Sequence, residues 1–370
     1  MFVRNCWYVA CWPSDLAVNR LMAVTIVGEP LVLYRREDGT PVALQDRCCH
    51  KRAKLSLGRI EGDCVRCMYH GLKFEPSGRC VEIPGQDLIP PNAFVTAFPA
   101  LERGCWVWVW MGDPALADPD LIPITIALND SRWDLRTGQM DYAANYELIN
   151  DNLTDFSHLS FVHPASFGAS AKFAEVRPTV KSIDRGIQVS RWISGGSTEN
   201  RNVSGAVGRT AEAPVTYMSY DYVVPGILTM RSETFRIEDY PADGVSPPTG
   251  IPVMANTNCQ AVTPMTEDTS RYFFVTGPRA GPNSTAGAER LLQIMKIAFD
   301  EDRVMIESQA ANIKLSPGDN VMMTSADVGP VRFRAILQAM LRAEARRTPA
   351  YRNGPDPTRS STRGDLPFPT

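Results

Sequence analysis

The sequence predicts an α+β protein in two parts: an all-β N-terminal domain over residues 1–115 and a domain over 120–346 in which an antiparallel sheet wraps a long helix. Three observations carry that expectation. Short apolar runs separated by glycine or charged residues fill the first hundred positions, longer strand-like runs follow after about residue 180, and two amphipathic helical repeats close the folded region. A chain of 370 residues is long enough for two domains, each with its own core.

The elements follow in order. Residues 24–27, 31–34 and 41–44 are short apolar runs between turn residues. Trp106, Trp108 and Trp110 alternate with Val107 and Val109, the period of a strand with one aromatic face, expected to pack against the other domain. Gly112-Asp113-Pro114 and Asp118-Pro119-Asp120 then interrupt the pattern and mark the junction. A helix is expected over 148–162, strands over 186–193, 216–224 and 271–276, and polar connections over 194–202 and 241–252. Long helices are expected over 288–314 and 331–346, and the proline-containing remainder, 347–370, reads as a disordered tail.

Composition narrows the function. The net charge of −3, with no basic stripe, excludes nucleic acid as a partner, because displacing phosphate counterions requires a positive face. No apolar run approaches the roughly 18 residues that span a bilayer, and the N-terminus lacks the apolar core of a signal peptide, so a cytoplasmic protein is expected. Nine cysteines in such a chain argue against a disulfide framework. Five of them (Cys48, Cys49, Cys64, Cys67 and Cys80) crowd into 33 residues, which points to metal chemistry.

The four histidines fall as two pairs, each beside other candidate ligands. Cys48-x-His50 and Cys67-x-x-His70 supply two thiolates and two imidazoles. Such a set suits a tetrahedral zinc, or a two-iron, two-sulfur cluster in which cysteines hold one iron and histidines the other. Zinc fingers usually pair like ligands, whereas here each segment offers one of each kind. Cys48-Cys49-His50-Lys51, Leu55-Ser56-Leu57-Gly58 and Cys67-Met68-Tyr69-His70-Gly71-Leu72-Lys73-Phe74 closely resemble the Rieske domain of Rieske non-haem iron oxygenases. Cys49 and Lys51 depart from the proline and arginine common in that family, without touching the ligands. Ile83-Pro84-Gly85 resembles the loop that covers the cluster, and Gly71 would let the backbone approach the sulfurs. Cys49 and Cys64 fall outside the ligand set and are expected as buried or half-buried free thiols.

The second pair, His158 and His163, lies close to Asn152 and Asp155. On a helical wheel Asn152 and Asp155 share a face with Leu148, Leu159 and Val162, an apolar setting that is costly for an ionisable group without a partner. His163 falls just past the expected helix end, before Pro164. Two histidines and one carboxylate make the facial triad of non-haem iron(II) oxygenases. Among Asp300, Glu301 and Asp302, periodicity selects Asp302, which aligns with Leu291, Met295, Ala298 and Met305; Asp300 and Glu301 read as ordinary surface acids.

The spacing from Asn152 to His163, with Glu301-Asp302, also resembles the mononuclear iron motif of the same family. The likeness spans roughly residues 1–345 and is nearest to the vanillate O-demethylase and toluenesulfonate methyl-monooxygenase branch, with only a loose match over 170–285. It implies an oxygenase component with a helix-grip catalytic domain. That component receives electrons from an NAD(P)H-dependent flavin/iron-sulfur reductase, directly or through a ferredoxin, and monooxygenates a substituted aromatic compound with O2. It also implies rings of three subunits, with Asp155 bridging His50 or His70 of one subunit to His158 of the next, and Asn152 standing beside the iron. The chain has no strand–GxGxxG–helix fingerprint of its own for a nicotinamide cofactor. The alternatives are ring cis-dihydroxylation and, more remotely, a non-enzymatic ligand-binding protein with a structural zinc. Substrate-binding residues are not legible: Arg191, Arg231, Arg236 and Arg279 each read as solvated surface.

Overall fold

The computed structural model describes residues 1–164, 166–167, 174–193, 214–318 and 321–346. The expected tail over 347–370 and the connection over 194–202 lie outside the described residues.

Eleven strands in three small antiparallel sheets form the N-terminal part. The first sheet orders Trp7–Cys11, Trp106–Trp110 and Ala100–Arg103. The second orders Met22–Ile26, Glu29–Arg35, Pro41–Gln45 and Ala97–Phe98, and the third orders Arg59–Glu61, Cys64–Arg66, Lys73–Phe74 and Cys80–Glu82. The expected runs 31–34 and 41–44 fall inside strands three and one residues longer, while the strand at 24–27 starts two residues earlier and ends at Ile26. The third sheet was not anticipated, because its strands span two or three residues and carry no readable alternation.

Two 3-10 turns, Pro114–Leu116 and Pro119–Leu121, occupy the interruption after the tryptophans, capped by the Asp113 and Asp118 side chains. Beyond them lies a seven-stranded antiparallel sheet, ordered Arg136–Tyr142, Thr269–Pro278, Met254–Thr266, Ile227–Phe235, Val215–Val223, Gly186–Ile193 and Thr179–Ile183. Helix α1 (Tyr146–Thr154), helix α2 (Leu159–Val162), the 32-residue helix α3 (Ser284–Leu315) and helix α4 (Val328–Arg346) follow the chain around it. Helix α3 buries Ala288, Leu292, Met295, Phe299, Asp302, Ile306 and Ala310, a helical stripe against the sheet. Met305, expected on that stripe, is 56% exposed instead, because the apolar arc is centred on Phe299 and Ile306 rather than one residue earlier. Among the described residues no helix is long and apolar enough to cross a membrane.

The large sheet is covered on both faces. Its outer face presents Ile227, Cys259, Ala261, Phe273 and Val275, which share one cluster with Trp7, Trp12, Trp106, Trp108 and Trp110. The aromatic strand thus packs against the other domain, as its period-2 pattern suggests. Trp12 meets Phe273 edge-on at 5.8 Å. The Trp7, Trp108 and Trp110 indole N–H groups donate to the carbonyls of Asp118, Arg103 and Asp113 at 2.8–3.0 Å, so these rings bury area without stranding their donors. Two backbone bonds add register: the Val27 and Gly28 N–H groups donate to the Pro264 and Met265 carbonyls at 2.8 and 2.9 Å. Gly28 holds φ +81° in that hairpin, a conformation that favours glycine.

The expected single helix over 148–162 is broken. Helix α1 ends at Thr154, Asp155 is extended (φ −129°, ψ 106°), and a 3-10 turn over Phe156–His158 leads into α2. Asp155 caps that second start, accepting from the Ser157 N–H at 2.8 Å and its hydroxyl at 2.8 Å. Asn152 and Asp155 therefore do not share a helical face; Asp-x-Ser is a cap signal that the wheel overlooked.

Trp108 is fully buried between the two domains. Trp108→Ala is expected to cost about 3–5 kcal/mol of stability, read from the denaturant midpoint; a loss below about 1 kcal/mol would remove the tryptophan layer as the main tie between the domains.

Candidate metal centres

The two Cys/His segments are built alike. In the first, Cys48 N–H donates to Ala53 C=O at 2.8 Å and Arg52 N–H to Cys48 C=O at 2.9 Å. In the second, Cys67 N–H donates to Leu72 C=O at 2.8 Å and Gly71 N–H to Cys67 C=O at 3.0 Å. Each cysteine thus closes a loop with the residues four and five positions on, and the fourth takes a left-handed conformation (Arg52 φ +59°, Gly71 φ +76°). Asp46, 2% exposed, ties the first loop to Ser56 by accepting from its N–H and hydroxyl at 2.7 and 2.6 Å.

This construction buries Cys48 and Cys67 and leaves His50 and His70 exposed, their ring centroids 4.6 Å apart. The His50 N–H points at the Cys48 sulfur, and the Tyr69 and His70 N–H groups at the Cys67 sulfur. Both thiols are nonetheless pushed up, Cys48 by its bond to Cys49 and Cys67 by burial, so a cationic centre is needed to hold them as thiolates. Pro84 lies over Gly71, where a Cβ would come within 2.7 Å of its Cγ; this close packing and the left-handed backbone both favour glycine here. The donor set and its N–H-lined floor fit a 2Fe-2S cluster with the histidine side facing out. Cys64 is half-buried as expected, but Cys49 is exposed, since its loop turns it away from the core.

In the second centre His158, His163 and Asp302 each offer one ligand atom, all within 4.8 Å of one another. Asp302 Oδ1 lies 3.4 Å from His158 Nε2 and 3.1 Å from His163 Nε2. The Nδ1 atoms face acceptors: the Asp155 carbonyl at 2.6 Å for His158 and Glu301 Oε2 at 2.8 Å for His163. Acceptor-only partners keep the proton on Nδ1 and turn both Nε2 lone pairs inward. His163 Nε2 is buried and has no hydrogen-bond partner among the described residues. Lone pairs converging on a carboxylate are relieved by a cation, so this set fits the mononuclear iron of a facial triad. Burial opposes charge on both rings: it lowers the pKa of His158, whereas at His163 the Asp302 and Glu301 carboxylates outweigh it and raise the pKa.

Asn152 Nδ2 donates to Asp302 Oδ1 at 3.0 Å and lies 3.4 Å from His158 Nε2, which orients the carboxylate. The Asp155 side chain is bound locally to Ser157, while its carbonyl receives His158. The sequence reasoning missed Glu301 and Ser166. Glu301 is no ordinary surface acid, since it accepts from His163 and from the Ser166 hydroxyl at 2.6 Å. Its place in the Glu301-Asp302 segment that resembles the family's iron motif, one residue before the buried carboxylate, was the available signal. Asp300 does stay at the surface, paired with Arg303. Arg191, read as solvated, is only 6% exposed; Arg231, Arg236 and Arg279 are exposed.

Comparison with known proteins agrees with this geometry. The family described as Rieske 2Fe-2S domain matches residues 6–98, and that described as vanillate O-demethylase oxygenase C-terminal domain matches residues 142–343. A toluene-4-sulfonate monooxygenase system iron-sulfur subunit from Comamonas testosteroni is 38% identical over 93% of this chain and 98% of its own. A vanillate O-demethylase oxygenase subunit from Pseudomonas sp. (strain HR199) is 27% identical over 93% of this chain and 96% of its own. Dicamba monooxygenase bound to 3,6-dichlorosalicylic acid superposes with a TM-score of 0.82 at 29% identity, covering 94% of this chain and 99% of that one. These names mark iron-sulfur or oxygenase subunits of multi-component systems, and the 2Fe-2S match replaces the structural-zinc alternative.

Loss of a group that orients a metal-bound histidine typically costs about 10–100-fold in metal affinity. Glu301→Ala is expected to weaken iron retention by about that factor, measured by chelator competition, with cluster absorbance unchanged and partial recovery in Glu301→Gln. Equal retention in all three proteins would remove Glu301 from the support of His163.

Proposed function

The chain belongs to the Rieske non-haem iron oxygenases of the vanillate O-demethylase type, and on that footing we propose how its residues carry the reaction of a terminal oxygenase component acting on a substituted aromatic compound. The observation that carries the proposal is the convergence of His158, His163 and Asp302 around an unanswered, buried His163 Nε2. Cys48, His50, Cys67 and His70 hold the 2Fe-2S cluster, and His158, His163 and Asp302 hold the mononuclear iron. When bound, the cluster supplies electrons and the iron supplies oxygen activation.

The protein's part is orientation and exclusion of water. Asn152 fixes the Asp302 carboxylate through a 3.0 Å hydrogen bond, and Glu301 fixes the His163 ring. Exposure of His50 and His70 supports electron delivery across a contact between molecules. Asp155 is the residue we assign to that contact, bridging a neighbour's cluster histidine to His158 in a trimer; its backbone already holds His158. A separate NAD(P)H-dependent reductase delivers the electrons, with or without a ferredoxin. None of the nine cysteines is in a disulfide, which supports a reducing, cytoplasmic setting.

The relatives' names include O-demethylation and toluene-4-sulfonate monooxygenation, and we assign monooxygenation of an alkyl group, by demethylation or methyl hydroxylation, here. Inserting one atom of O2 into a C–H bond of an O- or N-methyl group, the other leaving as water with two reductase-supplied electrons and two protons, gives a hemiacetal or hemiaminal, which breaks its C–O or C–N bond and releases formaldehyde. A C-methyl group stops at the alcohol. The test supplies a surrogate reductase, NAD(P)H and 18O2 with methoxy-, methyl- and N-alkyl-aromatics, following product mass and formaldehyde. A C-methyl substrate is expected to keep one labelled oxygen, and an O- or N-methyl substrate to give an unlabelled demethylated product with one formaldehyde; two labelled oxygens, in a cis-diol, would replace this reading with ring dihydroxylation.

Asp155→Asn keeps a competent helix cap, so its fold is expected to survive. Turnover is expected to fall to background while iron content and cluster absorbance stay unchanged. Full activity in that variant would overturn the bridging assignment.

A further inference from the structure

The two Cys/His loops are closed alike, but they are fastened to the protein differently. Asp46 pins the first through Ser56. The second is pinned by Arg66, the residue immediately before Cys67. Val65, its neighbour on the strand, is buried in one core with Leu55, Phe74 and Cys80, so alternation turns Arg66 to the opposite face of the third sheet. Register on that sheet sets Arg59, Arg66, Lys73 and Glu82 in one row across its four strands. Glu61 stands two residues from Arg59 and therefore on the same face.

The Arg66 guanidinium uses every donor it has. Nε and Nη2 donate to the two Glu61 carboxylate oxygens, both at 2.7 Å, and Nη2 and Nη1 donate to those of Glu82 at 2.8 and 3.0 Å. The remaining Nη1 hydrogen goes to the Gly71 carbonyl at 2.6 Å. Two bidentate carboxylates fix the orientation of the fork as well as its position. Gly71 follows His70 and is held at both ends, because its own N–H donates to the Cys67 carbonyl at 3.0 Å. Glu82 opens the segment Ile83-Pro84-Gly85, whose Pro84 lies over Gly71. One side chain thus joins the loop that carries His70 to the segment packed on it. With that side chain only 13% exposed, water competes little for these bonds.

We propose that Arg66 is a positioning residue for the 2Fe-2S centre: it locks the His70 loop and the Pro84 segment onto one strand, and so sets the direction of the His70 ring and the shielding of the cluster from water. A lysine could supply the charge but neither the fork nor the five donors. The inference rests on the cluster reading of Cys48, His50, Cys67 and His70, and adds a residue outside the ligand set on which that centre depends.

The full protein carrying its cluster and iron tests it through three readouts other than turnover: the EPR g-values of the reduced cluster, its reduction potential, and its bleaching rate in excess chelator. In Arg66→Gln bleaching is expected to quicken by about 10-fold or more, and the g-values to move. Loss of a nearby positive charge opposes the added electron. The reduced-to-oxidised ratio at fixed solution potential is therefore expected to fall about 10-fold, or about 59 mV for one electron. Arg66→Lys is expected to recover the potential and to leave bleaching fast and the g-values displaced. Glu82→Ala, which frees only the Pro84 segment, is expected to quicken bleaching as well. Parent g-values and bleaching in Arg66→Gln, with only a lower denaturation midpoint, would overturn the proposal and leave Arg66 a brace of the fold. Parent values of all three readouts in Arg66→Lys would do the same, since charge alone would then suffice. If Arg66→Gln assembles no cluster, the other two variants decide: bleaching at the parent rate in both overturns the proposal. A parent protein without acid-labile sulfide removes the cluster reading itself, whereas a cluster indifferent to Arg66 removes this inference alone.

Discussion

A carboxylate in the middle of an apolar helical stripe is the constraint around which the catalytic domain is organised. Asp302 is 4% exposed and shares its face of α3 with Met295, Phe299 and Ile306. Burying it among such neighbours is unfavourable unless charge and hydrogen bonds answer it. The broken helix segment opposite supplies one donor, the Asn152 amide, while the two imidazole Nε2 atoms turn lone pairs toward Asp302 Oδ1 and leave its charge to be answered by a cation. The remaining imbalance, lone pairs gathered without a proton, is what makes the site select a cation over a proton-sharing network.

The break between α1 and α2 serves the same end. A continuous helix would carry His158 around the axis set by Asn152; the extended Asp155 resets that phase and aims both histidines at one carboxylate. Thr154 supports the termination by donating its hydroxyl to the Asn150 carbonyl at 2.8 Å. One residue therefore ends a helix, starts the next and fixes a ring, which is why its replacement by asparagine separates local structure from charge.

The sheet links this centre to the N-terminal domain. Its inner face packs Tyr220 against Phe156, which in turn meets His158, and its outer face is covered by the tryptophan strand. The histidines of the cluster loops are exposed. Rigid packing between the two domains suits electron delivery from another molecule, because the exposed histidine edge keeps a fixed orientation relative to the rest of its own chain.

Spacing alone carried the ligand sets into view: Cys48, His50, Cys67 and His70 lie on short local loops, and Asp302 sits at a helical phase that any wheel reveals. The tryptophan layer was equally legible, since alternation in a strand dictates which side chains share a face. What depended on distant segments was hidden. Glu301 gains its role only because α2 ends where His163 and Ser166 meet it, some 135 residues away along the chain. Arg191 is buried only because the strands Val215–Val223 and Ile227–Phe235 bring Met218, Tyr220 and Ser232 alongside its own. Local pattern determines what an element is and which way it faces; which groups then meet is set by packing between elements, and only the tertiary fold decides that.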